Sequence, residues 1–132
     1  GLEYEGALLP AEAQAILQQR PEARLVDVRS RAELDFVGRV PGSVEIEWKS
    51  YPGMLPNPRF MEQLAQQVPQ DAIVMFLCRS GGRSHETATV AAQAGYRDAY
   101  NVLEGFEGDR DPRGHRSSVD GWRARGLPWT QS

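Results

Sequence analysis

The sequence predicts an α/β fold: an open, mostly parallel sheet of about five strands with helices on both faces. Two observations carry that expectation. Short β-rich runs alternate with stretches of helical pattern along the whole chain. The strongest run, Ala72-Ile73-Val74-Met75-Phe76-Leu77, is continuously apolar and reads as a buried strand. With 132 residues there is room for one core, so 1–132 reads as a single domain.

Pro10 stands at a first helical position with good helix formers after it, and the helix should stop near Pro21. Leu25-Val26-Asp27-Val28 is a short β-rich run. Ser30-Arg31-Ala32-Glu33 then matches a capping box opening a short helix. Gly38 and Pro41-Gly42 mark turns before Val44-Glu45-Ile46-Glu47-Trp48, which alternates as a strand does. Three prolines in 51–58 define a loop, and Asn57-Pro58 supplies a cap and first-turn proline for a helix through about Gln67. The strand ending at Leu77 is followed by a glycine-containing loop and a helix from about Arg83 to Ala94, closed by Gly95. Ala99-Tyr100-Asn101-Val102 is a last strand. Residues 105–121 are polar and glycine-rich, and a short helix is expected around Trp122 to Arg125.

Composition narrows the function. A hydrophobic content of 40% and a charged content of 25% fit an ordinary globular protein. The net charge of −3 gives no support to a nucleic-acid or acidic-membrane partner, although positive charge can still gather locally. A single cysteine excludes an internal disulfide and an internal resolving thiol. His85 and His115 form no metal cluster with it at any familiar spacing, so neither metal nor cofactor is expected. The longest apolar runs are under ten residues, too short to span a membrane. No signal peptide is visible and a lone thiol suits a reducing compartment, so the expected location is cytoplasmic. The chain starts at Gly1 rather than methionine, which leaves a removed leader open.

The most informative segment is Cys78-Arg79-Ser80-Gly81-Gly82-Arg83-Ser84. It follows the buried strand and opens a helix, which puts a thiol at a helix N-terminus between two guanidinium groups. Both features favour an anionic sulfur. Gly81 and Gly82 let the backbone curl so that N–H groups can point inward as an anion nest. Ser84 can donate a hydroxyl hydrogen bond or cap the helix. A buried inert cysteine is the bland alternative, but this loop is too polar and glycine-rich for core packing. Asp27 and Arg29 end a neighbouring strand, and in such sheets chemistry gathers at the carboxyl ends.

Cysteine followed closely by arginine is also the anatomy of thiol phosphatases. Four residues separate Cys78 from Arg83, one fewer than those enzymes use. The shorter loop fits one extra sulfur atom on Cys78 better than a phosphoryl group, which points to sulfur transfer.

At this level the chain resembles the rhodanese (thiosulfate sulfurtransferase) family, in particular its single-domain members. Leu25-Val26-Asp27-Val28-Arg29, Glu33-Leu34 and Gly38-Arg39-Val40-Pro41-Gly42-Ser43 look like its amino-terminal motif. Residues 78–84 look like its active loop, and Gly105-Phe106-Glu107-Gly108 like its carboxyl-terminal motif. The resemblance implies that Cys78 accepts sulfane sulfur from a small donor such as thiosulfate and passes it to cyanide or a thiol. It also implies that the amides of Arg79, Ser80, Gly81, Gly82, Arg83 and Ser84 hold the persulfide, and that Asp27 and Arg29 support the loop. The family often has histidine at Arg39 and tryptophan at Asp109. The second departure leads into an inserted polar loop and bears on substrate selection.

Three other readings stand beside the enzyme: a carrier module fed by a sulfur-relay protein, a phosphatase or arsenate reductase of related fold, and a non-catalytic docking domain. Asp27 and Arg29 could be no more than a solvated ion pair. His85 reads as a helix-surface residue. His115 lies in a charged stretch that is either solvated or overhangs the pocket, and Phe106 is expected near the cleft.

Overall fold

A computed structural model of the chain describes residues 4–50 and 53–131. The elements run β1 (Gly6–Leu8), α1 (Pro10–Gln19), β2 (Ala23–Asp27), α2 (Arg31–Phe36), β3 (Val44–Glu45), β4 (Lys49–Ser50), β5 (Leu55–Pro56), α3 (Phe60–Gln67), β6 (Ile73–Leu77), α4 (Gly82–Gln93) and β7 (Ala99–Val102). Five strands form one sheet in the order β1-β7-β6-β2-β3, every pair parallel. The α/β expectation holds, and β4 and β5 form a separate antiparallel ribbon.

Alternation along β6 divides the interior in two. Val74, Phe76 and the following Cys78 pack with Phe60 and Leu64 of α3 and Ala88 and Ala91 of α4. Met75 and Leu77 point the other way, to Ala13 of α1, Phe106 and Trp122. Helices therefore cover both faces. Burying a side chain such as Phe76 contributes about 1.5–3 kcal/mol, which is why the central strand β6 is apolar throughout.

Local signals placed several element ends. Pro10 opens α1, and the chain leaves the helix at Arg20, just before Pro21. Ser30 caps α2, its hydroxyl accepting from Glu33 N while Glu33 reaches back to Ser30 N at 3.2 Å.

Four features differ from expectation. β1 was not foreseen, and it supplies the fifth strand by pairing with β7. β3 has two residues where five were expected, because this edge has one neighbour; Ile46 N and Trp48 N still donate to Asp27 O and Val28 O. α3 begins at Phe60, after a turn in which Asn57 Oδ1 accepts from Arg59 N at 3.0 Å. The expected helix near Trp122 is a turn held by Arg125 N donating to Gly121 O, between glycines at φ 101° and 75°.

Register places the carboxyl ends of β2 and β6 side by side, Asp27 opposite Leu77. β7 brings residues 103–108 to the same end. Beyond them the chain loops out and returns, with Trp122 N donating to Gly105 O at 2.8 Å and Arg123 N to Phe106 O at 3.1 Å. Gly108 and Gly121 form the neck of that loop. A Cβ on Gly121 would stand 2.5 Å from Gly108 N, and one on Gly108 would collide with Asp120. None of the described helices is long and apolar enough to cross a membrane.

Candidate active site

Cys78 leaves β6 and the chain turns through Arg79, Ser80 and Gly81 into α4. Gly81 sits at φ 113°, where a side chain is strained, so the turn requires glycine there. Gly82 is already helical with open space about its Cα, so its glycine is not demanded by conformation. The Cys78 Sγ accepts the Gly81 N–H at 3.0 Å and lies 3.3 Å from Ser84 Oγ. Among the described residues, this is the amide that bonds Sγ. The first hydrogen bond of α4 is from His85 N to Gly81 O. The N–H groups of Gly82, Arg83 and Ser84 therefore have no helical carbonyl to bond. The thiol itself is 1% exposed.

Ser84 has one hydroxyl proton and three neighbours for it. Gly81 O is at 3.1 Å, Asn101 Oδ1 at 2.5 Å and the sulfur at 3.3 Å. Asn101 of β7, buried beside them, was not singled out by sequence because nothing local couples it to a loop twenty residues away.

The two arginines differ sharply. Arg83 grips Glu33 with two bonds of 2.7 and 2.8 Å, the side chains only 13% and 19% exposed. Burial pushes the Glu33 carboxyl up, but the bonds and charge of Arg83 and the Ser30 amide and hydroxyl outweigh it and hold the group at about 2. Burial also works against the Arg83 charge, and the charges of Glu33, Cys78 and Asp27 more than compensate, raising it. Glu33 thus caps α2 and anchors the cysteine loop at once. Arg79 is exposed, and its side chain makes no hydrogen bond or ion pair among the described residues.

Asp27 and Arg29 are not a solvated pair. Both are fully buried, joined by bonds of 2.7–3.2 Å, and Arg29 Nη2 also donates to Gly38 O at 2.8 Å. Neither has a hydrogen bond to the sulfur. The Arg29 guanidinium lies 4.2 Å from the centre of the Phe106 ring. Phe106 N donates to Cys78 O at 2.8 Å, and Glu107 N and Gly108 N donate to Arg79 O. Gly105, at φ 65°, lets this turn press on the loop: a Cβ would stand 2.5 Å from Arg79 O. Phe106 is wholly buried and backs the loop, while its neighbour Glu107 lines a cleft alongside.

Beside the loop opens a cleft of about 720 Å³, lined by Arg79, Arg83, Glu33, Phe36, Met54 and Arg116 among others. Cys78 is not among the lining residues, whereas Arg79, which follows it, is. His85 is exposed, its ring 2.9 Å from the Tyr4 hydroxyl. His115 is exposed too and does not line the cleft, whereas its neighbour Arg116 does. Only membership of a charged loop could have pointed to Arg116.

The sequence pattern of the rhodanese-like domain matches residues 9–111. Uncharacterized protein RC0915 of Rickettsia conorii is 33% identical over 124 residues, spanning 89% of this chain and 91% of that one. Thiosulfate sulfurtransferase 16, chloroplastic, of Arabidopsis thaliana is 27% identical over 107 residues, 80% of this chain and 78% of its own. The crystal structure of Rv0390 from M. tuberculosis has a TM-score of 0.90 at 44% identity, covering 98% of this chain and 99% of that one. The matched pattern and a parallel sheet that ends in the cysteine loop agree: the chain belongs to the rhodanese-like domain family.

Proposed function

We propose that the protein is a sulfurtransferase that holds sulfane sulfur as a persulfide on Cys78. The donor is a small compound such as thiosulfate, and the acceptor is cyanide or a thiol. The observation that carries this reading is the setting of Sγ, with the Gly81 N–H at 3.0 Å and the Ser84 hydroxyl at 3.3 Å at the start of α4. Aligned peptide dipoles and N–H donors there favour an anionic sulfur.

In loading, the Cys78 thiolate attacks the outer sulfur of thiosulfate. Its S–S bond breaks, sulfite leaves with the electron pair, and Cys78–S–S⁻ remains. In unloading, a thiol's sulfur attacks the outer atom, the bond to Sγ breaks, and the proton of the thiol ends on the new persulfide. Cys78 is again a thiolate, and neither step needs an outside oxidant or reductant. The added sulfur lies about 2.05 Å beyond Sγ. The N–H groups of Gly82, Arg83 and Ser84, which have no helical carbonyl to bond, are the donors within the loop for its charge. The thiol is 1% exposed, and Arg79, the residue that follows it, is solvent-exposed. Asp27 and Arg29 act through the Phe106 turn, as positioning residues.

A second reading, a relay module charged by a protein partner, draws on the apolar rim of the cleft, where Phe36 is 78% exposed. The test is intact-protein mass after incubation with thiosulfate. Wild type gains one sulfur, and Cys78→Ser gains none. A gain that persists in Cys78→Ser overturns the site, and the absence of any gain with thiosulfate, polysulfide or a protein-bound persulfide overturns the chemistry. Charging only by a cysteine-bound persulfide of another protein supports the relay.

A further inference from the structure

We infer that the cleft beside the cysteine loop selects an organic thiol bearing a carboxylate, and that Arg116 is a specificity-determining residue which receives that carboxylate. The inference rests on the sulfurtransferase reading and names the class of its acceptor.

The cleft's charges do not cancel. Arg83 and Glu33 neutralise each other through their paired bonds. Arg79 and Arg116 remain on the cationic side and Glu107 on the other, and among the described residues none of the three forms an ion pair. One positive charge is therefore left over at the mouth. Arg116 is held in place rather than loose, because its Nη1 donates to Gly108 O at 2.6 Å and it is half-buried. Its loop is itself fixed. Asp109 N donates to Asp120 Oδ1 at 2.7 Å, and Ser117 N to Glu107 O at 2.6 Å. The other guanidinium N–H groups of Arg116 have no acceptor among the described residues, and a carboxylate fits that planar donor set.

One part of the lining is apolar. Phe36 and Val37, at the end of α2, face the cleft with Met54. An inorganic donor or cyanide would use neither these side chains nor more than a small part of a volume of about 720 Å³. That volume is within the range of organic-ligand sites. Apolar side chains, one uncompensated guanidinium charge and the cysteine loop at the cleft's edge together describe an organic thiol with an anionic end. Arg116 also lies outside the span 9–111 that matches the family pattern.

The experiment uses the full chain charged with thiosulfate. Discharge of the Cys78 persulfide is followed in single turnover with 3-mercaptopropionate, 3-mercapto-1-propanol and 3-aminopropanethiol, which differ in end-group charge. At sub-saturating concentration the expected order is anionic, neutral, cationic, with about tenfold between the first two, a difference of about 1.4 kcal/mol. The ratio shrinks as salt rises. Arg116→Ala collapses the anionic-to-neutral ratio to about one through KM, and Arg116→Lys restores part of it. Equal rates for the three thiols, or an unchanged ratio in Arg116→Ala, overturn the inference.

A second measurement does not need sulfur transfer. Binding of 3-(methylthio)propionate to Cys78→Ser is measured by calorimetry, and again with Arg116→Ala added. Binding that weakens at least tenfold on removal of Arg116 supports the inference even if no persulfide forms. Binding unaffected by Arg116, or none in the millimolar range, overturns it. A persulfide that discharges to a protein thiol but to none of the three small thiols overturns it in favour of a macromolecular acceptor.

Discussion

Glu33→Gln is the sharpest test of how the cysteine loop is held. Glutamine keeps an oxygen that can reach Ser30 N, so the α2 cap survives, while the charge opposite Arg83 disappears. The carboxyl is held at about 2 against a usual 4.5. At 1.36 kcal/mol per unit this corresponds to at most about 3–4 kcal/mol of folding stability. The pair retains some solvent contact, so about 2 kcal/mol is the expected loss. The folded-state pKa is depressed, so the contribution is fully present above pH 4.5 and is lost as pH falls towards 2. Urea unfolding at pH 7 should therefore show Glu33→Gln less stable by about 2 kcal/mol, with an unchanged m-value. Thermal scans should place its Tm lower by roughly 5–10 °C. In a pH series the two unfolding free energies should converge between about pH 4.5 and 2. A variant within 0.5 kcal/mol of wild type at pH 7, on the order of ordinary surface changes, would refute the reasoning. So would a gap that persists undiminished at pH 2.

Further perturbations probe the parts around it. Arg29→Ala leaves the buried Asp27 carboxyl without its guanidinium partner, and a loss of about 3–5 kcal/mol is expected by denaturant titration; a loss under 1 kcal/mol would show that water replaces the guanidinium. Gly105→Ala drives a Cβ to 2.5 Å from Arg79 O at φ 65°, whereas Gly42→Ala, at φ 79°, meets open space. Gly42→Ala should cost about 1–2 kcal/mol for its backbone alone and Gly105→Ala clearly more, with loss of Cys78 charging for the second only. Equal costs would mean that the 104–108 turn does not press on the loop. Arg79→Ala removes an exposed charge beside the thiol and should slow alkylation of Cys78 near neutral pH. An unchanged rate would take away the electrostatic argument.

Much of this was legible because the signals were local. The Ser30–Glu33 box, Pro10 and the apolar run to Leu77 each declare an element from a few adjacent residues. The loop at 78–84 declared itself in the same way. What escaped depends on distant partners. β1 is three residues whose strand character comes from pairing with Tyr100, Asn101 and Val102. Glu33 was read as a cap, yet its second role is set by an arginine fifty residues on. Asp27 and Arg29 were placed at the right strand end, while their complete burial depends on Phe106, far along the chain. The turn at 122–126 has a helix-like sequence but is confined by glycines at both ends, which leaves no length for a helix to propagate.

The pinched glycine neck at Gly108 and Gly121 separates two kinds of change. The segment between them departs from and rejoins the scaffold at one point, so adding or removing residues there alters closure entropy only slowly. Descendants of such a chain could exchange that flap wholesale, acquiring new recognition surfaces, while the sheet and the sulfur-bearing turn are inherited untouched.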